Sequence, residues 1–119
     1  VDIAADVRQI AEGACSDGCV VGGKPSPAGP DGARQGINDY TAWFAGHAQM
    51  AGTYRGYDGA YPPANDARLH RYFFRLFALD IARLPVEGDF TAAQVHAAMQ
   101  GHILAEAAIH ATYTLNPAL

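Results

Sequence analysis

The run Tyr57-Asp-Gly-Ala-Tyr-Pro-Pro-Ala-Asn-Asp-Ala-Arg-Leu-His-Arg-Tyr-Phe-Phe74 constrains the fold more than any other part of the chain. Gly59 to Ala67 reads as loop, because Gly59, Pro62, Pro63, Asn65 and Asp66 each favour turns for a different steric or hydrogen-bonding reason. Leu69 to Leu79 reads as strand, aromatic and apolar with few breakers. His70 and Arg71 stand at the junction. The two prolines lack an N–H and hold the loop stiff. A stiff loop running into a strand, with a histidine, an arginine and two tyrosines beside it, suits a preformed pocket for a small polar or anionic group.

Strand periodicity sorts these side chains, with His70 and Tyr72 on one face and Arg71 on the other. His70 is the leading candidate: an imidazole at a pocket edge donates to an oxyanion, more strongly once protonated. The plain alternative is a structural histidine satisfied at a strand end. Arg71 suits a structural ion pair with Asp39 or Asp66. Tyr72 adds a hydroxyl, and Gly59 and Tyr61 offer backbone N–H groups. Ala60 and Pro62 belong to the same pocket lining.

Composition excludes several functions. The chain has 119 residues, half of them hydrophobic, which fits one domain with a modest core. Its formal net charge is -4 and its single lysine is Lys24. Without a basic stripe to track a phosphate backbone, nucleic acid is not an expected partner. No apolar run approaches the ~20 residues of a membrane-spanning helix.

The remaining segments are less distinctive. Val1-Asp2-Ile3 reads as the end of a strand. Ala4 to Glu12 has Val7, Ile10 and Ala11 at helical spacing and Gly13 as a stop, which predicts one or two helical turns. Ala14 to Gly32 is loop. Cys15 and Cys19 are spaced for a small disulfide, a weak metal clip or two free thiols. A disulfide would lean the localisation to the periplasm or outside the cell. Ala33 to Tyr40 predicts a short strand entering a turn at Asn38-Asp39. Thr41 to Arg55 reads as an irregular excursion, with Trp43 and Phe44 buried and His47 exposed.

Asp80 to Asp89 is a turn region, and Thr91 opens the clearest helix. Thr91 and Gln94 form a capping-box pattern. Val95, Ala98, Met99, His102 and Ile103 then share one helical face. Ala107 to Leu115 alternates as a half-buried final strand. His96, His102 and His110 have no metal-ligand spacing, and His102 on the apolar face predicts a buried, hydrogen-bonded histidine. No nucleophile motif or thiolate beside a base is present. The sequence therefore points to no metal, no cofactor and no catalytic residue.

Together these fragments resemble the phosphatidylethanolamine-binding protein family, in its bacterial Raf-kinase-inhibitor-like branch. That family carries a Tyr-x-Gly-Pro-x-Pro-Pro loop and then His-Arg-Tyr at a strand start. Here these are Tyr57 to Pro63, with Ala60 in place of the first proline, and His70-Arg71-Tyr72. Phe77-Ala78-Leu79-Asp80, Ala98-Met99-Gln100-Gly101-His102-Ile103-Leu104-Ala105 and Ala111-Thr112-Tyr113 resemble later family segments. Gly36-Ile37-Asn38-Asp39-Tyr40 and Val1-Asp2-Ile3-Ala4 resemble earlier ones.

The resemblance implies a mainly β fold, with an antiparallel central sheet, a smaller second sheet packed as a β-sandwich, and a C-terminal helix. It implies a pocket for phosphate-like, phosphoethanolamine-like or carboxylate-like anions, lined by Gly59, Ala60, Tyr61, Pro62, His70 and Tyr72, and no established catalysis. The alternative it leaves is a kinase or protease inhibitor acting through surface loops. The family's first third, with an Asp-Pro-Asp-x-Pro loop and a His-Trp pair, has no counterpart here. The resemblance thus implies that residues 1–119 are the C-terminal part of one domain. Its N-terminal remainder is expected as a second polypeptide; a homodimer covering the same edge is the other reading.

Overall fold

Regular structure in the computed structural model is mostly β with few helices. Residues 1–15 and 20–119 are described. The elements are α1 (Tyr40–Trp43), β1 (His70–Leu79), α2 (Ala92–Met99) and β2 (Ile103–Tyr113), with a 3-10 turn at Pro30–Gly32. Two compact units form. The first holds Val1–Asp58 and Ile81–Gly101; the second holds Gly59–Asp80 and His102–Leu119. The expected Cys15–Cys19 disulfide lies outside the described residues, because Cys19 does.

The first unit is built on turns around a small core of Ala33, Tyr54, Leu84, Val86, Phe90 and Met99. Two arginines tie its loops together. Arg55, 5 % exposed, donates to Pro25 O at 3.0 Å, Gln35 O at 3.2 Å and Gly88 O at 3.3 Å, and pairs with Asp89. Arg34 donates from Nε to Asp2 at 2.6 Å and from its two Nη atoms to Val86 O and Leu84 O. Its guanidinium lies 5.6 Å from the Phe90 ring centroid. Backbone carbonyls of several separate loops thus converge on charged donors.

Several expectations for this unit are corrected. Val1–Ile3 is not a strand. Val1 exchanges two backbone bonds with Arg34, at 2.7 and 3.0 Å, and Asp2 then takes φ +61°, which ends the extended run. Ala4–Glu12 is not helical beyond a turn closed by Val7 N–H to Ala4 O at 3.1 Å. Ile10 stays exposed, so no buried face supports so short a helix.

Ala33–Tyr40 is not a strand either. Its amides bond to several segments: Gln35 to Pro27, Ile37 to Phe90 and Asn38 to Tyr54. Isolated bridges result instead of a ladder. Trp43 is 78 % exposed. In the unforeseen helix α1, Tyr40 and Phe44 are one turn apart and face Tyr54, leaving Trp43 turned outward.

The Asn38 turn and exposed His47 are as expected. Asn38 Oδ1 accepts Tyr40 N–H at 3.1 Å, and His47 Nδ1 accepts the amides of Gln49 and Met50. The capping box is present, with Thr91 N–H donating to Gln94 Oε1 at 2.9 Å and Thr91 Oγ1 accepting from Gln94 N–H. The helix ends earlier than its apolar spacing suggests. Gly101 turns at φ +81°, so His102 and Ile103 leave the α2 face.

Gly36 marks a close approach. A Cβ there would lie 2.7 Å from both the ring and the carbonyl oxygen of Phe90, which is itself buried. Gly36→Ala should therefore cost ~1–3 kcal/mol of stability, read as a lower urea midpoint. An unchanged midpoint would mean that Phe90 moves aside freely.

The second unit is an antiparallel ribbon. β1 pairs with β2 from His70↔Tyr113 to Ala78↔Ala105, and then shifts to Leu79↔Ile103 so that Leu104 is extra. One face carries Tyr72, Phe74, Leu76 and Ala78 opposite Ala111, Ile109, Ala107 and Ala105. The other carries a cross-strand Arg75–Glu106 pair at 2.7 Å, with Arg75 over the Phe77 ring, and Phe73 against His110. Both faces are open: Phe73 is 62 % and Ile109 73 % exposed. The final strand is therefore not half-buried, and it starts at Ile103 instead of Ala107.

Candidate functional site

Sequence places the candidate residues where a loop becomes β1, and the residue just ahead of that loop is firmly tied within the first unit. Asp58, the second residue of the Tyr57–Pro63 motif, has a side chain only 4 % exposed and lies 2.6 Å from Lys24 Nζ. Its other carboxylate oxygen accepts from Asn38 Nδ2 at 2.8 Å, and the same amide donates to Gly56 O. The single lysine thus balances a buried carboxylate at the start of the loop.

Beyond Asp58 the candidates lie in the second unit. Gly59 takes φ +92°, where a side chain would be strained. Ala60 is half-buried, Pro62 is buried and Tyr61 is exposed. His70 is the first residue of β1, and its side chain is about one third exposed. Tyr72 is half-buried two residues on, on the same face by strand alternation.

The histidine's partner is Asp66. His70 Nε2 lies 2.9 Å from Asp66 Oδ2. The turn is built to hold that carboxylate. Asp66 Oδ1 accepts Arg68 N–H at 3.0 Å, and Asp66 N–H donates to Pro63 O at 3.2 Å. Asp66 O accepts from Asn116 Nδ2 at 3.0 Å. The hydrogen bond from His70 and, less strongly, the Arg68 amide outweigh desolvation and hold the Asp66 carboxyl below the usual carboxylate range.

Arg71, expected to pair with Asp39 or Asp66, is exposed and has no ion pair among the described residues. Asp66 was the missed member of the site. An Asx turn just ahead of a strand was legible, but its free oxygen was assigned to the wrong side chain. Asn116, which stitches the tail to this turn, carried no sequence signal.

Two more histidines belong to the second unit. His102 is neither helical nor buried. Its side chain is 40 % exposed, and its Nδ1 lies 2.7 Å from Asp80 Oδ1. The hydrogen bond is as expected, but Gly101 has already ended the helix. His110 packs its ring 5.5 Å from Phe73. Among the described residues no three of His, Cys, Asp and Glu gather as metal ligands would. The polar groups at the start of β1 are an imidazole with one nitrogen engaged and a tyrosine on the same face. Such groups donate hydrogen bonds to a small oxyanion.

Comparison with known proteins agrees with the motif reading. The family profile described as phosphatidylethanolamine-binding protein matches residues 1–114. A UPF0098 protein of Methanothermobacter thermautotrophicus is 42% identical over 84 residues, which cover 71% of this chain and 45% of that protein. The UPF0098 protein YbhB of Escherichia coli is 42% identical over 59 residues, 50% of this chain and 36% of that protein. A UPF0098 protein of Aquifex aeolicus is 37% identical over 82 residues, covering 69% of this chain and 40% of that protein. The matched stretches thus span less than half of these relatives' own length. No solved structure matches the chain significantly. With a profile match over nearly all of its residues, the chain belongs to the phosphatidylethanolamine-binding protein family.

Proposed function

We propose that this chain binds small oxyanions, of the phosphate or phospholipid head-group kind, without turnover. His70 and Tyr72 serve as side-chain donors, and Gly59, Ala60, Tyr61 and Pro62 line the site. The observation that carries this reading is His70 itself: partly exposed at a strand start, with one ring nitrogen fixed by Asp66. Replacing His70 with alanine removes a charge-assisted bond of ~1.5–3 kcal/mol. The side chain fills no core, so folding should be retained. Titration of inorganic phosphate or phosphoethanolamine, followed by NMR, should give a saturable shift in the parent and none in His70→Ala. Equal binding by both proteins would remove His70 from the site. Turnover of a phosphoester that depends on His70 would overturn the non-catalytic reading.

One further observation bears on partners and not on the anion: the ribbon's apolar side chains are exposed on both faces. Contiguous apolar surface of this kind marks an interaction site. On the family reading, β1 and β2 are two strands of a larger antiparallel sheet in a sandwich, and the ribbon's partner is the remainder of that domain. A kinase or protease target would instead bind at the surface loops. Denaturing mass analysis beside native size exclusion separates these readings. A cooperatively folding monomer that binds phosphate unaided would exclude the need for a second polypeptide.

A further inference from the structure

We propose that Asp66 locks the neutral His70 ring in its Nε2–H tautomer, so that the site captures an oxyanion carrying no proton of its own only by taking one up. This rests on the reading of His70 as the anion donor. The lock follows from the geometry of one carboxylate. Asp66 Oδ1 is occupied by Arg68 N–H at 3.0 Å, and Oδ2 faces His70 Nε2 at 2.9 Å. An ionised carboxylate only accepts, so the facing nitrogen must carry the hydrogen. Asp66 is held ionised by the same contacts, its carboxyl lying below the usual range. Nδ1 is then the bare nitrogen of the neutral ring. It has no hydrogen-bond partner among the described residues, which makes it the atom left to meet a ligand.

The consequence is a sign change at Nδ1. In the neutral ring Nδ1 is an acceptor and presents a lone pair to an oxyanion, which repels it. In the imidazolium both nitrogens donate. Nε2–H stays on Asp66 while Nδ1–H bonds the anion. Each fully deprotonated oxyanion bound by the neutral ring therefore brings one proton to Nδ1. Among the described residues, the charged and titratable groups next to His70 are Asp66, which faces the ring, Arg68 two residues before it, Arg71 beside it, Tyr72 two residues on and Tyr113 at the opposite register position. Asn116, bonded to the turn from the tail, is uncharged. Of these groups only Asp66 dictates which nitrogen is protonated.

Asp66→Asn inverts the arrangement with one atom. The amide oxygen must stay on the Arg68 N–H, which only donates. The NH2 then takes the place of Oδ2 and donates to Nε2, forcing the hydrogen onto Nδ1. Neutral His70 becomes a donor toward the ligand position. Sulfate is the suitable probe, because its own charge stays constant throughout such a pH series and it carries no proton to donate.

In the parent, sulfate affinity should fall about tenfold per pH unit above the imidazolium titration, as one-proton linkage requires. In Asp66→Asn it should fall far less and exceed the parent's at alkaline pH. Loss of the Asp66 charge alone would raise affinity without flattening this slope. Imidazole 15N shifts of the unliganded proteins at alkaline pH read the lock directly. His70 should be Nε2–H in the parent and Nδ1–H in the variant. His102, whose Nδ1 faces Asp80, should be unchanged in both.

An Nδ1–H parent, or an unaltered slope in the variant, overturns the proposal. The parent's tautomer decides the lock even if the variant fails to fold. Absence of any saturable sulfate response at acidic pH overturns the anion-binding reading itself, and the proton coupling with it. The tautomers then still report whether Asp66 acts as described.

Discussion

Exchanging Arg34 for methionine should cost the chain ~3–5 kcal/mol of folding stability, the penalty of leaving a largely buried charge without its partner. Asp2, with a side chain 11% exposed, would lose the guanidinium 2.6 Å away. The Val86 carbonyl would lose the Arg34 donor, and the Leu84 carbonyl would keep only the Val86 N–H at 2.8 Å. Methionine keeps apolar volume over Phe90, so the loss isolates the polar contacts.

The pH profile should change with it. Burial pushes the Asp2 carboxyl up, but the Arg34 hydrogen bond, the Leu84 amide and nearby positive charge outweigh this and hold it below the usual range. A depressed carboxyl stabilises the fold above its unfolded value of ~3.9 and loses that contribution as pH falls through the folded value. The parent should therefore weaken in acid below pH ~4. Arg34→Met should show a shallower acid limb as well as a lower urea midpoint. A variant within ~0.5 kcal/mol of the parent would place Arg34 among ordinary surface residues.

Tyr54→Ala should be comparably severe, ~3–5 kcal/mol by analogy with other buried aromatics. Tyr54 is fully buried. Its ring lies 5.5 Å from Phe44 and 5.9 Å from Tyr40, and its hydroxyl donates to Met50 O at 2.6 Å. Its backbone is clasped by Thr41, whose Oγ1 both accepts from and donates to it. Tyr54→Phe should lose only the hydroxyl bond, ~1 kcal/mol. Thermal unfolding of the two variants separates ring from hydroxyl. Equal losses would mean that the hydroxyl carries the residue's contribution.

What was legible in the sequence was local. The prolines, Gly59 and the Asx residues announced a loop, the aromatic run announced β1, and Thr91 with Gln94 announced a helix start. Each signal acts within a few residues. What was not legible depended on partners distant in sequence. The arginines at 34 and 55 organise the first unit by reaching carbonyls some 20 to 50 residues away. Nothing in their neighbourhood marks them as core.

Periodicity also misled where burial did not follow it. Ala107–Leu115 alternates as a half-buried strand does, yet all of β2 is exposed, because alternation tells which residues share a face and not whether that face is covered. At the candidate site, strand alternation puts His70 and Tyr72 on one face of β1. It said nothing of Asp66, which reaches His70 across a turn instead of along the strand.

The two units share the chain in alternation: first, second, first, second. Residues 81–101, which link the ribbon's strands, belong to the other unit. Neither unit is a continuous segment that a gene deletion could excise whole. A cut after Asp58 would separate the first unit's larger portion from residues 81–101, which would stay joined to the ribbon's strands along the chain. The ribbon must also close a loop of about twenty residues before its first strand pairs, an entropic cost that a two-residue hairpin would avoid.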